Sequence, residues 1–160
     1  MRPEGISYQV APMTDADAGE VLTLQRAAYA TEAQLYRDAF LPALTQSLGE
    51  LRLEIMSGAG LVVRSGDGRE RLLAAVRTST HDDVLHIGRL TVAPDLQGRG
   101  LGSLLLREVE ERSTETWAEL FTGHLSEGNL RLYERRGYER TRTEPLHDGV
   151  TLVYLRKRLR

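Results

Sequence analysis

Residues 85–112, LHIGRLTVAPDLQGRGLGSLLLREVEER, restrict the possible folds of this chain more than any other stretch. The apolar-rich run over 85–92 has the length and composition of a strand. A turn at Ala93-Pro94-Asp95 leads into the loop Gln97-Gly98-Arg99-Gly100-Leu101-Gly102. From there Leu101, Leu104, Leu105 and Val109 recur at helical spacing opposite a charged face. Strand, glycine loop and helix in that order turn unpaired N–H groups and the positive end of a helix dipole toward an anion. Glycine lets the backbone approach that anion with no Cβ in the way. The first expectation is therefore an anion-binding crossover within an α/β sheet.

The flanking segments supply the sheet and its helices. A strand is expected over 6–13, ended by Pro12, with Thr14 or Asp15 capping a helix striped by Ala18, Val21, Leu22, Leu24 and Ala28. Residues 29–41, with Tyr29, Tyr36 and Phe40, are less regular. Pro42 opens a second helix marked by Leu44, Leu48, Leu51 and Ile55, with Gly58 as its stop. Strands over 61–64 and 72–78 flank the hairpin turn Ser65-Gly66-Asp67-Gly68, and His81-Asp82-Asp83 turns the chain into the strand at 85–92. A strand over 120–125 and a short helix over 129–136, closed by Gly137, follow. Strands over 138–143 and 150–156 are joined through His147-Asp148-Gly149. The order β-α-α-β-β-β-α-β-α-β-β implies one mixed α/β sheet, with the glycine-loop crossover near its middle.

Composition narrows the functional classes. A chain of 160 residues is one domain's worth, and 41% hydrophobic with 28% charged residues is ordinary for a globular protein. A net charge of -2 offers no electrostatic basis for a nucleic-acid or anionic-membrane partner. No cysteine is present, which excludes a disulfide framework, a thiolate nucleophile and a cysteine metal site. His81, His86, His124 and His147 lack zinc-ligand spacing, so no metal is expected. No apolar run approaches the roughly 20 residues of a membrane helix, and MRPEGISYQV lacks a signal peptide's apolar core. A cytoplasmic location is the expectation.

Residues then separate the kinds of glycine loop. A nucleotide-hydrolysing loop ends in Gly-Lys-Ser/Thr, and Gly102-Ser103 has no lysine before the serine. A dinucleotide fingerprint runs G-x-G-x-x-G and opens the first βαβ unit, whereas Gly98, Gly100 and Gly102 run G-x-G-x-G past mid-chain. Instead, residues 92–102 resemble the acyl-CoA-binding motif of the GNAT superfamily of N-acetyltransferases, whose Q/R-x-x-G-x-G/A core is matched by Gln97, Gly100 and Gly102. Downstream, Asn129-Leu130-Arg131-Leu132-Tyr133-Glu134-Arg135-Arg136-Gly137-Tyr138 resembles that family's second signature, an asparagine ahead of a Tyr-Glu pair and a Gly-aromatic pair.

The resemblance implies the GNAT, or acyl-CoA N-acyltransferase, fold: a mixed, mostly antiparallel twisted sheet with splayed central strands and helices on both faces. It implies a single domain over 1–160, with 1–58 forming the variable acceptor side and 59–160 the acyl-CoA-binding core. Acetyl-CoA would be the cosubstrate, its pyrophosphate at Gln97, Gly98, Arg99, Gly100, Leu101, Gly102 and Ser103, its pantetheine along the backbone of Leu90, Thr91 and Val92. Arg99 either adds a cation or points to solvent. Asn129 either orients coenzyme A or caps its helix.

Acetyl transfer to an amine needs the amine deprotonated, the thioester carbonyl polarised and the departing thiolate protonated. The resemblance makes Tyr133 the general acid, a phenol with a pKa of about 10 that is protonated at neutral pH; the alternative is a packed aromatic. His86 is the first candidate for the base and His124 the second, with a water chain to backbone carbonyls as the other route. Tyr29, Glu32, Tyr36 and Asp38 form an aromatic and acidic cluster suited to a cationic amine, or else a solvated helix face. With no cysteine to carry the acyl group, direct attack in a ternary complex on a small-molecule amine is the expected route. The alternatives are an acyl-CoA-binding module without turnover and a protein N-terminal or lysine acetyltransferase. Monomer and homodimer are both open.

Overall fold

Asp82 (φ 51°) and Asp83 (φ 60°) make a two-residue turn with both φ values positive, the geometry that matches the twist of a tight hairpin. The strands it joins are β3 (Leu72–His81) and β4 (Val84–Val92). Asp83 also fixes what comes next in space: its Oδ1 accepts from Thr116 N at 2.8 Å, so β5 (Trp117–Gly123) starts beside β4. The computed structural model describes residues 3, 5–147 and 149–160; Asp148, in the expected turn at 147–149, lies outside them.

The seven strands form one sheet in the order β1-β2-β3-β4-β5-β7-β6, with β1 Tyr8–Pro12, β2 Ala59–Ser65, β6 Glu139–His147 and β7 Val150–Arg158. Every neighbouring pair is antiparallel except β4 and β5. That single parallel pair is the product of the crossover through α4 (Leu101–Arg112), since parallel neighbours need a long connection. The expected mixed sheet with helices on both faces is thus the observed architecture.

Two apolar layers sandwich the sheet. On one face Leu101, Leu104, Leu105 and Val109 of α4 pack with Leu85, Ile87, Ala118 and Leu120. On the other, Ala18, Val21 and Leu22 of α1 (Ala18–Tyr36) and Leu51 of α3 (Leu48–Ser57) cover Val62, Leu72 and Ala75. Leu51, Leu105 and Leu106 are fully buried, each contributing on the order of 1.5–3 kcal/mol from apolar surface removed from water.

Three local expectations are corrected. Residues 29–36 are helical: α1 runs on to Tyr36 and is closed by Arg37 in the left-handed conformation at φ 51°. The apolar rhythm fades there because that half of the helix faces a cavity, so Tyr29, Glu32 and Tyr36 replace aliphatic side chains. The helix at Pro42 is also two helices, α2 (Pro42–Thr45) and α3, because Ser47 and Glu50 form a capping box that starts the second. Ser47 Oγ accepts from Glu50 N at 3.1 Å and Glu50 Oε1 from Ser47 N at 3.3 Å. Finally, α5 spans Glu127–Arg135 with Ser126 at its N-cap, so Asn129 is not the cap.

Candidate active site

β4 and β5 separate. Their parallel pairing comprises Val84 with Trp117, Leu85 with Ala118 and His86 with Glu119, and stops there. Just past that point β4 carries a bulge: Ala75 pairs with Thr91 and Arg77 with Gly88, so Val76 alone opposes Arg89 and Leu90. Arg89 sits in it at φ 50°. A bulge shifts the alternation by one residue. Leu85 and Ile87 therefore pack on the α4 side before it, and Leu90 and Val92 do so after it. Thr91 is buried on the other face, its Oγ1 donating to Ala75 O at 3.4 Å.

The glycine loop lies past the open end of β4. Gly98 (φ 76°) and Gly100 (φ 92°) hold the left-handed conformation, and among the described residues none beyond its chain neighbours comes within 4 Å of where a Cβ on Gly98 would stand. Leu104 N closes the first helical hydrogen bond on Gly100 O at 3.0 Å, so the amides just before it point outward. Leu101 is buried and offers the loop only its backbone. Gly102 serves packing: a Cβ there would stand 3.1 Å from Leu132 Cδ2. Arg71 grips Asp95 with both guanidinium nitrogens, at 2.9 and 2.5 Å, securing the turn before the loop. Gln97 and Arg99 are exposed, with the Arg99 guanidinium close to Gly5. The open, positive-φ amide cradle, with Ser103 in the first helical turn, fits a pyrophosphate.

Where β4 and β5 part, a cavity of about 250 Å³ opens. Tyr29, Glu32 and Tyr36 of α1 form one wall, with β4 at Ile87, Gly88, Arg89 and Leu90 and β5 at Phe121, Thr122 and Gly123. Asn129 and Tyr133 of α5 complete the inner end, while Leu146, Val150 and Leu152 of the final hairpin cover the outer one. Tyr133 is 6% exposed. Burial, followed by the charges of Tyr29 and Glu32, raises its hydroxyl well above the usual phenol pKa. It therefore stays protonated at any physiological pH. Asn129 Nδ2 donates to Thr122 Oγ1 at 3.2 Å, tying α5 to β5.

A hydrogen-bond chain holds α1 against the far end of β5. Tyr36 OH stands 2.7 Å from Ser126 Oγ, and Leu125 N donates to Tyr36 OH at 3.0 Å. Ser126 Oγ in turn donates to Glu32 Oε2 at 2.6 Å. The cap serine of α5 is thus used on the cavity wall rather than on its own helix.

The remaining sequence candidates lie outside the wall. His86 shares the face of Gly88 but stands two residues earlier, where β4 and β5 are still joined, with its ring centroid 6.5 Å from that of His81. His124 is exposed, and its Nδ1 accepts from Thr151 N at 3.0 Å, so that lone pair holds β7. Asp38 pairs with His147 Nε2 at 3.2 Å. Among the described residues no cluster of three or more His, Asp or Glu is arranged to hold a metal ion. Sequence reasoning missed Arg89, Thr122 and Ser126. The available signal was Gly88, since a glycine inside a strand often marks a bulge.

Comparison with known proteins agrees with this architecture. A family model described as an acetyltransferase (GNAT) domain matches residues 27–159. The ribosomal-protein-S18-alanine N-acetyltransferase of Escherichia coli superposes with a TM-score of 0.76 at 17% identity, over 95% of this chain and 94% of that one. The PaiA N-acetyltransferase of Thermoplasma acidophilum, solved with coenzyme A, gives 0.74 at 14%, over 96% and 99%. A Salmonella typhimurium protein solved with acetyl-CoA as its cofactor gives 0.71 at 15%, over 96% and 95%. At such identities these likenesses concern fold. No curated protein sequence matches the chain. Among the described residues no helix is long and apolar enough to cross a membrane. With the family model spanning 27–159, most of the sheet and the whole of the glycine loop, this chain belongs to the GNAT acetyltransferase family and is an acyltransferase.

Proposed function

We propose that the protein transfers an acetyl group from acetyl-CoA directly to a primary amine of a small molecule. One observation carries the reading: the buried, protonated hydroxyl of Tyr133 and the parted edges of β4 and β5 meet in one cavity, with the glycine cradle beyond the end of β4. Acetyl-CoA supplies the activated acyl thioester. Residues 97–103 hold its pyrophosphate through backbone amides, and the backbone of Leu90, Thr91 and Val92 receives its pantetheine amides. Among the described residues the β4 edge facing β5 has no strand partner after His86, which leaves that backbone able to do so.

Tyr133 is the general acid, donating its proton where thiolate charge develops. Glu32 takes the place expected of His86: it lies on the cavity wall, its charge acts on Tyr133, and one of its oxygens is fixed by Ser126. The acceptor's ammonium is received by this carboxylate, and the proton leaves through it, directly or by way of water. Tyr29, Tyr36 and the final hairpin close the cavity around a small acceptor, which favours a metabolite-sized amine over a polypeptide end. Calorimetric titration with acetyl-CoA and release of free thiol against a panel of amines test the reading. Saturable binding and amine-dependent release are expected; no binding up to millimolar acetyl-CoA would refute it.

A further inference from the structure

Among the described residues, Glu32 and Arg89 are the two charged side chains on the cavity wall, and they are of opposite sign. They are not paired with each other. Glu32 Oε2 takes its hydrogen bond from Ser126 Oγ, at 2.6 Å. Arg89 joins no ion pair among the described residues, and its Nε is buried with no hydrogen-bond partner. The nearby Arg77 shows the contrast: its Nε meets Glu54 Oε2 at 2.8 Å. The Arg89 guanidinium lies 5.9 Å from the Tyr29 ring centroid, a contact that steadies the cation without neutralising it.

Both features of Arg89 carry a cost. A buried guanidinium nitrogen without an acceptor loses its hydration with nothing in return. Its φ of 50° puts a long side chain in the left-handed region, which the bulge imposes. Such a strained, unsatisfied donor on a cavity wall fits an acceptor atom supplied by a ligand. A guanidinium fork is matched best by a planar carboxylate, which accepts two parallel N–H bonds.

We infer that the acceptor is a small amine that also bears a carboxylate, an amino acid in its simplest form, with its ammonium at Glu32 and its carboxylate at Arg89. This deepens the proposed function and rests on it: the cavity must be the acceptor site of an acetyl-CoA-dependent N-acetyltransferase. The volume of about 250 Å³ suits an acceptor of that size.

The test compares the twenty common amino acids with their decarboxylated amines and their amides, at saturating acetyl-CoA, by thiol release. At least one amino acid should exceed both neutralised counterparts in kcat/KM by roughly 10- to 100-fold, the range of a charge-assisted hydrogen-bonded pair. In Arg89→Gln, checked for an unchanged melting profile, that ratio should fall below about threefold, with the change in the KM of the amino acid; Arg89→Lys should keep part of it. β-Alanine should be preferred to 2-aminoethylphosphonate. Amines or amides accepted equally well would overturn the inference, as would preference for the phosphonate or an effect of Arg89→Gln on the KM of acetyl-CoA instead. So would a panel of amino acids neither turned over nor bound by the coenzyme A-saturated protein. Acetyl-CoA binding with turnover of neutral amines alone would leave the acetyltransferase reading standing. Loss of acetyl-CoA binding would remove both.

Discussion

The hydroxyl of Tyr36 fills the space in which residue 123 would carry a side chain: a Cβ on Gly123 would lie 2.1 Å from that oxygen. An alanine there must displace Tyr36, which breaks the link through Ser126 to Glu32. Gly123→Ala should destabilise the protein by about 1–3 kcal/mol, the usual cost of overpacking, and raise the KM of the acceptor. Combining it with Tyr36→Ala should cost clearly less than the sum of the two single changes, because the clash is removed. Thermal melts of the four proteins measure this.

Tyr133→Phe keeps the ring in its packed position and removes the acidic proton. It should lower kcat by about 10²–10⁴-fold, the span of general acid catalysis, while acetyl-CoA binding by calorimetry changes little. Equal losses in both would make Tyr133 a packing residue. The pH dependence has a definite sign. The folded pKa of Tyr133 is raised, so its contribution to stability is complete below the unfolded value of about 10. That contribution is lost as pH climbs above that value toward the folded pKa. Tyr133→Phe should therefore be less sensitive to alkaline unfolding than the parent protein.

Gly100 holds φ 92° at the start of α4. Gly100→Ala places a Cβ in a conformation that costs an L-residue about 1–2 kcal/mol and should tilt the amides of the cradle. Acetyl-CoA affinity should drop about tenfold for each 1.4 kcal/mol of that cost carried into the bound state, with the acceptor KM largely spared. Titration with coenzyme A alone reads the effect on the donor side.

Glu32 and His86 are separated by a pH–rate comparison. Glu32→Gln removes a carboxylate from the cavity wall and should lower kcat/KM for the amine by roughly 10- to 100-fold, the worth of one or two hydrogen bonds to a charged group. His86→Ala should leave the profile's shape intact, since the ring stands where β4 and β5 are still paired. A lost acidic inflection in His86→Ala would instead give the base role to that histidine.

Much of this architecture was legible because its determinants are local. The strand, glycine loop and helix over residues 85–112 announce themselves through composition and periodicity alone. The same holds for the hairpin at Asp82-Asp83 and for the stop at Gly58. The second half of α1 was harder to read because Tyr29, Glu32 and Tyr36 face a cavity, so the aliphatic stripe disappears where the helix leaves the core. The break before α3 was written in Ser47 and Glu50, but a capping box inside a continuous apolar rhythm is easily overlooked.

By itself the sequence determined the order of the elements and the strand, glycine loop and helix over residues 85–112, since each depends on residues close together along the chain. Only the tertiary structure decided which distant residues share a wall. It set Glu32 against Ser126, 94 positions away, and seated Tyr36 on Gly123. It also left His86 outside the wall and gave Arg89 an inside place. The physical reasons are the β4–β5 pairing, which still holds at His86, and the bulge that follows it at Arg89, where one unpaired residue reverses the alternation of a strand. That shift is a property of pairing with β3, and no period read along β4 contains it.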